Sequence, residues 1–580
     1  MTIHPTRTGI FLALLALSAF AADDGNETAA AKTSAGSAPD FAIIEDDSTR
    51  PTIESTADHS KFEILKGPFS SAPEVTEACL QCHTEAGKQF MKTTHWTWEY
   101  KHPKTGQLLG KKHEVNVFCG SVRSNYQRCT SCHAGYGWKD RNFDFSRQSR
   151  IDCLVCHDTT RTYVKPSADA GYPAYEDKLR DGKIVIENNK PMKKVDLALV
   201  AQHVGKTSRF TCGNCHFYGG GGDGVKHGDL DSSLNQPGKA LDVHMDADGL
   251  NFSCATCHTA KEHDVAGSHY SMTAKDVHGI DIPGRAFGGR ASCESCHGTA
   301  PHPGTTLTAM KLNNHINKLA CQSCHIPEFA RGGVATKTLW DWSKATLKLK
   351  RDENGKLVLN AKGQPIPIVE YDEHGHPSYM SQKGFFEHAE NVVPEYYWFN
   401  GQIEYTLLND EIDPSKTVSV NRISGGPEDP DARIWPFKRM LGKQPYDKQY
   451  NRLLATHVYG PDTKTALWSN FEWLLALEVG QKEAVLTGEA AHEFSGDFGF
   501  VDNEMYWPIT HMVAPKKKAL KCAQCHSAGG RLQAVSGIYL PGRDGRGWVN
   551  WLGLLLVGGT LLGVLGHALL RLVTGLGRKV

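Results

Sequence analysis

One five-residue pattern uses nearly all the cysteine in this 580-residue chain. Cys-x-x-Cys-His occurs eight times and takes up 16 of 17 Cys. The copies are Cys79, Cys82, His83; Cys129, Cys132, His133; Cys153, Cys156, His157; and Cys212, Cys215, His216. They continue at Cys254, Cys257, His258; Cys293, Cys296, His297; Cys321, Cys324, His325; and Cys522, Cys525, His526. At the chain's own Cys and His frequencies, chance would supply only about 0.02 copies. Two Cys three apart can form thioethers with both vinyl groups of one haem, and the adjacent His then swings under the ring to bind iron. A zinc or redox Cys pair would explain one copy but not eight. The expected cofactor set is eight covalently bound haem c.

Seven motifs lie between Cys79 and His325, which leaves about 35 residues for each haem. So little chain cannot insulate the haems from one another, and they must pack nearly edge to edge. Each iron has a sixth position. A second His there makes a relay, whereas an open or weakly held position makes a site for chemistry. Twenty His lie outside the motifs. Within or near the haem-rich stretch, the expected distal ligands are His95, His227, His244, His269, His302, His315 and His511.

Cys119 is the one Cys outside the motifs, ten residues before Cys129. It reads either as a small buried apolar residue or as a thiol beside a reactive haem, able to exchange with an S–S bond. Arg123, Arg128, Lys438 and Lys443 are candidate cations for an anionic substrate, and Asp140 a candidate proton donor. The chain has 64 Lys+Arg against 64 Asp+Glu. This neutral balance argues against a nucleic-acid partner.

The elements that must position these residues fall into six segments. Residues 1–21 read as a secretory signal, with Arg7, an apolar run from Ile10 to Phe20 and an Ala19-Phe20-Ala21 cleavage site. A flexible linker follows over 22–58, then a seven-haem domain over 59–330 and a region over 331–530 that carries seven of the 12 Trp and the eighth motif. Within it, Ala466 to Leu486 reads as a helix through Leu467, Phe471, Leu474 and Leu475. Hairpins are expected at Lys183 to Glu187 and at Leu347 to Val369, with regular strands scarce elsewhere. Residues 531–547 read as a tether into a transmembrane helix over 548–573, whose flanking Arg571, Arg578 and Lys579 suggest a cytoplasmic C-terminus. The expected fold is mainly α with extensive loops, a multihaem cytochrome c core organised around packed haems, plus that C-terminal transmembrane helix. The expected location is the periplasmic face of a bacterial inner membrane.

Four segments carry a resemblance: GPF…EVTEACLQCHTEAGKQFMKTTHWTW (67–98), RCTSCHAGYGWKD (128–140), FKRMLGKQPYD (437–447) and FGFVDNEMYWPITHMVAPKKKALKCAQCH (498–526). With seven clustered motifs, one late motif and an apolar end, the chain resembles the octahaem tetrathionate reductase family over most of residues 59–530. The resemblance implies a periplasmic enzyme fed by a quinol-linked or cytochrome donor. It acts on a small inorganic substrate: tetrathionate, with nitrite and hydroxylamine as others. It also implies one haem with a distal Lys and seven with two His. Lys139, six residues after His133, is the expected Lys. Its ligation requires a neutral amine and so a buried site. Other octahaem families fit less well, since no CxxCK occurs here and no motif fixes a haem-linked Tyr. The contrasting expectation is an electron conduit with eight bis-His haems.

Overall fold

The computed structural model describes residues 57–116, 119–281, 290–359, 365–460 and 462–576. The signal segment and the linker up to residue 56 lie outside the described residues.

Residues 57–330 form few long elements. Their motifs sit on single helical turns such as Leu154–His157, Cys254–Cys257 and Glu294–His297. Loops and small ribbons join them, and small apolar clusters fill the gaps. One cluster gathers Val75, Leu154, Tyr163 and Val200, and another Trp96, Trp98, Trp138 and Phe143. Asp181-Gly182 turns one two-residue ribbon (Leu179–Arg180 with Lys183–Ile184), and Asn188-Asn189 turns the next (Ile186–Glu187 with Lys190–Pro191). All four turn residues have φ between 51° and 73°, as this tight hairpin requires.

The scarcity of strands expected beyond the hairpins is corrected by a nine-stranded sheet. Its strands are β1 (Thr336–Asp341), β2 (Val369–Tyr371), β3 (Pro377–Met380), β4 (Gly384–Ala389), β5 (Glu395–Phe399), β6 (Val418–Ser419), β7 (Arg433–Asp447), β8 (Arg452–Leu453) and β9 (Phe498–Pro508). The order runs β2-β3-β4-β1-β7-β9-β6, with β5 and β8 also on β7. β7 pairs antiparallel with β9 from Phe437↔Pro508 to Asp447↔Phe498 and parallel with β1 through Gly442↔Trp340. Trp340, Phe399, Trp435, Phe437, Met505 and Trp507 from these strands are all under 4% exposed, and they build the main core. Full burial of each such side chain is worth about 1.5–3 kcal/mol.

In the hairpin expected over Leu347 to Val369, the described pairs are Leu349↔Pro367, Arg351↔Leu357 and Leu359↔Pro365. Its Lys362-Gly363 turn lies outside the described residues. The expected long helix is also shorter. Phe471 takes a left-handed conformation (φ 61°) and ends the turn Leu467–Asn470, so the helix α1 runs Trp473–Leu486. It buries Ala476, Leu477, Gly480, Gln481 and Ala484, while Leu474 and Leu475 face out.

Residues 531–546 are docked rather than a free tether. Leu532, Val535 and Leu540 pack on Tyr396, Trp398 and Ile434, and Trp398 Nε1 donates to Ser536 O at 2.9 Å. The helix α2, Gly547–Leu576, follows. Its span Gly547–Gly575 has mean hydropathy 1.9 and is not buried, which is long and apolar enough to cross a membrane.

Candidate haem sites and the second motif

The motifs come near one another at their cysteines. Cys79 and Cys153 lie within charge range of each other, as do Cys132 and Cys215, Cys212 and Cys254, and Cys293 and Cys321. Cys156 lies within charge range of Cys212, Cys257 of Cys296, and Cys324 of Cys525. Read in order, the motifs form one line from the eighth through the seventh, sixth and fifth to the fourth. There the line forks, to the second motif and, through the third, to the first. The eighth motif stands against the segment that leads into α2, where a Cβ on Gly542 would meet His526 O at 2.5 Å.

Imidazoles face each other across six of the motifs. Ring centroids are 6.3 Å apart for His59–His83, 6.2 Å for His95–His216, 6.0 Å for His244–His297, 6.2 Å for His258–His511, 6.4 Å for His302–His325 and 6.0 Å for His315–His526. A metal–imidazole bond of about 2 Å puts two trans ring centroids about 6 Å apart, so one iron fits between each pair. The nitrogens agree. Nδ1 of His59 donates to Ala57 O (3.1 Å), His258 to Ala266 O (2.9 Å) and His302 to Asn313 Oδ1 (3.1 Å), which orients Nε2 toward the partner ring. His157 is held the same way by Gly205 O (2.8 Å), and the imidazole whose charge reaches it is His263. The residues therefore fit haem. Replacing His59 with Ala should leave the haem of His83 with one protein ligand. One high-spin signal should appear in the oxidised electron paramagnetic resonance spectrum, and an unchanged spectrum would remove His59 from the ligand set.

His133 is different. It is fully buried, ringed by Trp96, Trp98, Trp138, Phe143 and Phe145 at centroid distances of 4.9–6.1 Å. Its Nε2 bonds Trp96 O at 2.7 Å and its Nδ1 has no protein partner, the reverse of His258, whose Nδ1 is bonded and whose Nε2 is left for iron. Burial pulls its pKa down to about 3, which keeps the neutral, metal-binding form. Among the described residues no imidazole stands opposite it.

Three lysines approach this motif, and one of them, Lys165, is engaged with His133 O (2.7 Å) and Asp152 (2.8 Å). Lys111 lies 4.8 Å over the Trp98 ring, and its charge reaches Cys129, Cys132 and His133. Lys226 lies 4.5 Å over the Trp507 ring and is felt at Cys132. Burial draws the Lys226 amine down to about 8, toward the neutral form. The sheet holds it in place. Lys438 on β7, 1% exposed, donates to Val225 O (2.8 Å), Lys226 O (3.1 Å) and Thr336 Oγ1 (2.6 Å), and Trp507 on β9 is its direct cross-strand neighbour. Gly228 closes the segment at φ 80°, where a Cβ would sit 2.8 Å from the Phe329 ring.

The bacterial cytochrome c family matches residues 337–529, which hold the sheet and the eighth motif. The octahaem cytochrome c from Shewanella oneidensis is 41% identical in its crystal structure and superposes with a TM-score of 0.70, covering 85% of this chain and 99% of that one. The chain belongs to the octahaem cytochrome c family. None of the curated proteins matches it. As in that family, haem c is bound covalently, and the protein transfers electrons.

Within this octahaem cytochrome c the expected site residues separate. His95, His244, His302, His315 and His511 each stand opposite a motif His. His227 and His269 do not. They flank Trp507, at 4.9 and 5.8 Å. His59 and His263 take places the sequence reading left empty. His59 lies just upstream of the first motif, and His263 five residues after His258. Lys139 is exposed, because Trp138 points into the His133 cage and the next side chain faces out. Asp140 caps a surface turn, accepting from Asn142 N at 2.8 Å. Cys119 packs on the main core, within charge range of Cys129, Lys337 and Lys383. Arg123 is paired with Glu489 (2.7 Å) and Lys443 with Asp502 (3.0 Å). Arg128 stacks on Tyr459 and Trp468.

Proposed function

We propose that this octahaem cytochrome c is a membrane-anchored, extracytoplasmic reductase. It would carry eight haems and reduce tetrathionate or a small nitrogen oxide at the second motif. The observation that carries this reading is the contrast between His133 and the other motif imidazoles. Six motif imidazoles face a second His and a seventh, His157, has His263 within charge range, whereas the His133 ring faces none and has lysines near it. Lys226 is the residue we assign to the sixth position there, in place of Lys139. A buried amine drawn toward neutrality can hold iron and yield to substrate more readily than His. When bound, haem c supplies one-electron carriers and, where its sixth position can open, a site for substrate.

The chain's own residues do the rest. With α2 in a membrane, the eighth motif would stand beside it, and electrons from a quinol-linked or cytochrome donor would start there. The line of motif contacts runs from that point to His133. Lys111 supplies positive charge for an anionic substrate. A second reading, an electron conduit, draws on the other arm of the fork, which ends at the first motif with Cys82 exposed.

Intact mass and electron paramagnetic resonance of the oxidised holoprotein test the assignment together. The expected result is a mass excess of eight haems with one low-spin signal distinct from the bis-His set. Eight bis-His signals would favour the conduit.

A further inference from the structure

Beside Lys226 lies a set of buried groups that packing alone does not require: His269, 5.8 Å from the Trp507 ring under Lys226, meets the Tyr270 ring at 3.7 Å. Glu114 is 1% exposed, and its Oε1 accepts from the Tyr270 hydroxyl in a short hydrogen bond. Tyr270 stacks on Tyr100 at 5.2 Å and lies 5.7 Å from Tyr405. The Tyr405 hydroxyl bonds His269 Nε2 at 3.3 Å. Lys226, Lys111 and His113 all act on Glu114, and Glu114 acts on Tyr405. Burial pushes the Glu114 carboxyl up, against the pull of the Lys226 charge and the Tyr270 bond. A buried carboxyl is costly, and an apolar pair would fill the same space without that cost.

The neighbouring residue leads outward. His113, 6% exposed, bonds Glu489 through Nδ1 and Glu99 through Nε2 (3.3 Å). Glu99 has 37% of its side chain in solvent and pairs with Lys112 at 2.6 Å. His113 and Glu114 are adjacent in the chain and the His113 charge acts on Glu114, so Glu99, His113, Glu114 and Tyr270 follow one another inward from solvent.

We propose that Glu99 and His113 form the outer end, and Glu114 and Tyr270 the inner end, of a proton route to the second motif. The inference rests on the enzyme reading and narrows it to reductions that consume protons. Hydroxylamine takes up two electrons from a one-electron donor, such as reduced viologen dye, and two protons. Its N–O bond breaks, giving ammonia and water. Tetrathionate takes up two electrons, its central S–S bond breaks, and two thiosulfate dianions leave with no proton consumed. Only the first reaction needs the route.

The test uses the holoprotein and its Glu114→Gln and Tyr270→Phe variants. It measures dye-linked turnover of hydroxylamine and of tetrathionate, together with the pH dependence of the haem midpoint potentials. The ratio of hydroxylamine to tetrathionate turnover should fall about tenfold or more in both variants. The pH dependence of one haem's potential should flatten in both. Ratios and slopes within twofold of the wild type would overturn the route and leave the enzyme reading standing. If the wild type turns over neither substrate, the enzyme reading falls, and the potential slopes alone decide whether the route exists.

Discussion

Lys226→His is expected to cut dye-linked turnover by about 100-fold or more, equivalent to about 2.7 kcal/mol of barrier, while all eight haems remain attached. A His in this position would give the haem of His133 the same firm ligation as its neighbours, and substrate could no longer displace the ligand. Lys226→Ala should instead leave an open position, seen as one high-spin signal. Lys139→Ala should change turnover less than twofold, since Lys139 is exposed and its neighbour Trp138 fills the cage. Kinetics on the three variants separate the two lysines. Loss of activity in Lys139→Ala with normal Lys226→His would reverse the assignment.

The second large effect is on stability. Arg433 on β7 is 4% exposed and its guanidinium bonds Glu294, 6% exposed, inside the sixth motif. Removing one partner of a buried ion pair leaves an uncompensated charge, at a cost of about 3–5 kcal/mol. Arg433→Ala should therefore lower the thermal midpoint of the holoprotein by several degrees and loosen the haem of Cys293 and Cys296 first. Lys443→Ala, which breaks an exposed pair with Asp502, should cost less than about 1 kcal/mol. Equal small shifts for both would show that the sheet does not hold the sixth motif through Arg433.

The haem attachment sites were legible in the sequence because their chemistry is local: three residue types at fixed spacing suffice. Distal ligands are not local. His95 and His511 lie far from the motif imidazoles they face, His59 became visible only when ring faced ring, and His263 only through its nearness to His157. The sheet was hidden for another reason. β7 carries Pro436, Gly442 and Pro445, which weaken any strand signal, and its first half is buried on both faces and so lacks alternation. β9 does alternate, with Val501, Asn503, Met505 and Trp507 turned inward. The lysine assignment failed at Lys139 because proximity in sequence to His133 does not decide which way a side chain points. Lys226 is brought to the second motif by Lys438 and Trp507, residues more than 200 positions later in the chain.

The central claim is that the second motif is a catalytic site fed by the others. Dye-linked reduction by purified holoprotein, with tetrathionate, nitrite and hydroxylamine offered separately, tests it most directly. The account predicts fast, saturable oxidation of the reduced dye by at least one of them, lost in Lys226→His. No turnover with any of the three, in protein that retains all eight haems, would contradict it and leave an electron conduit.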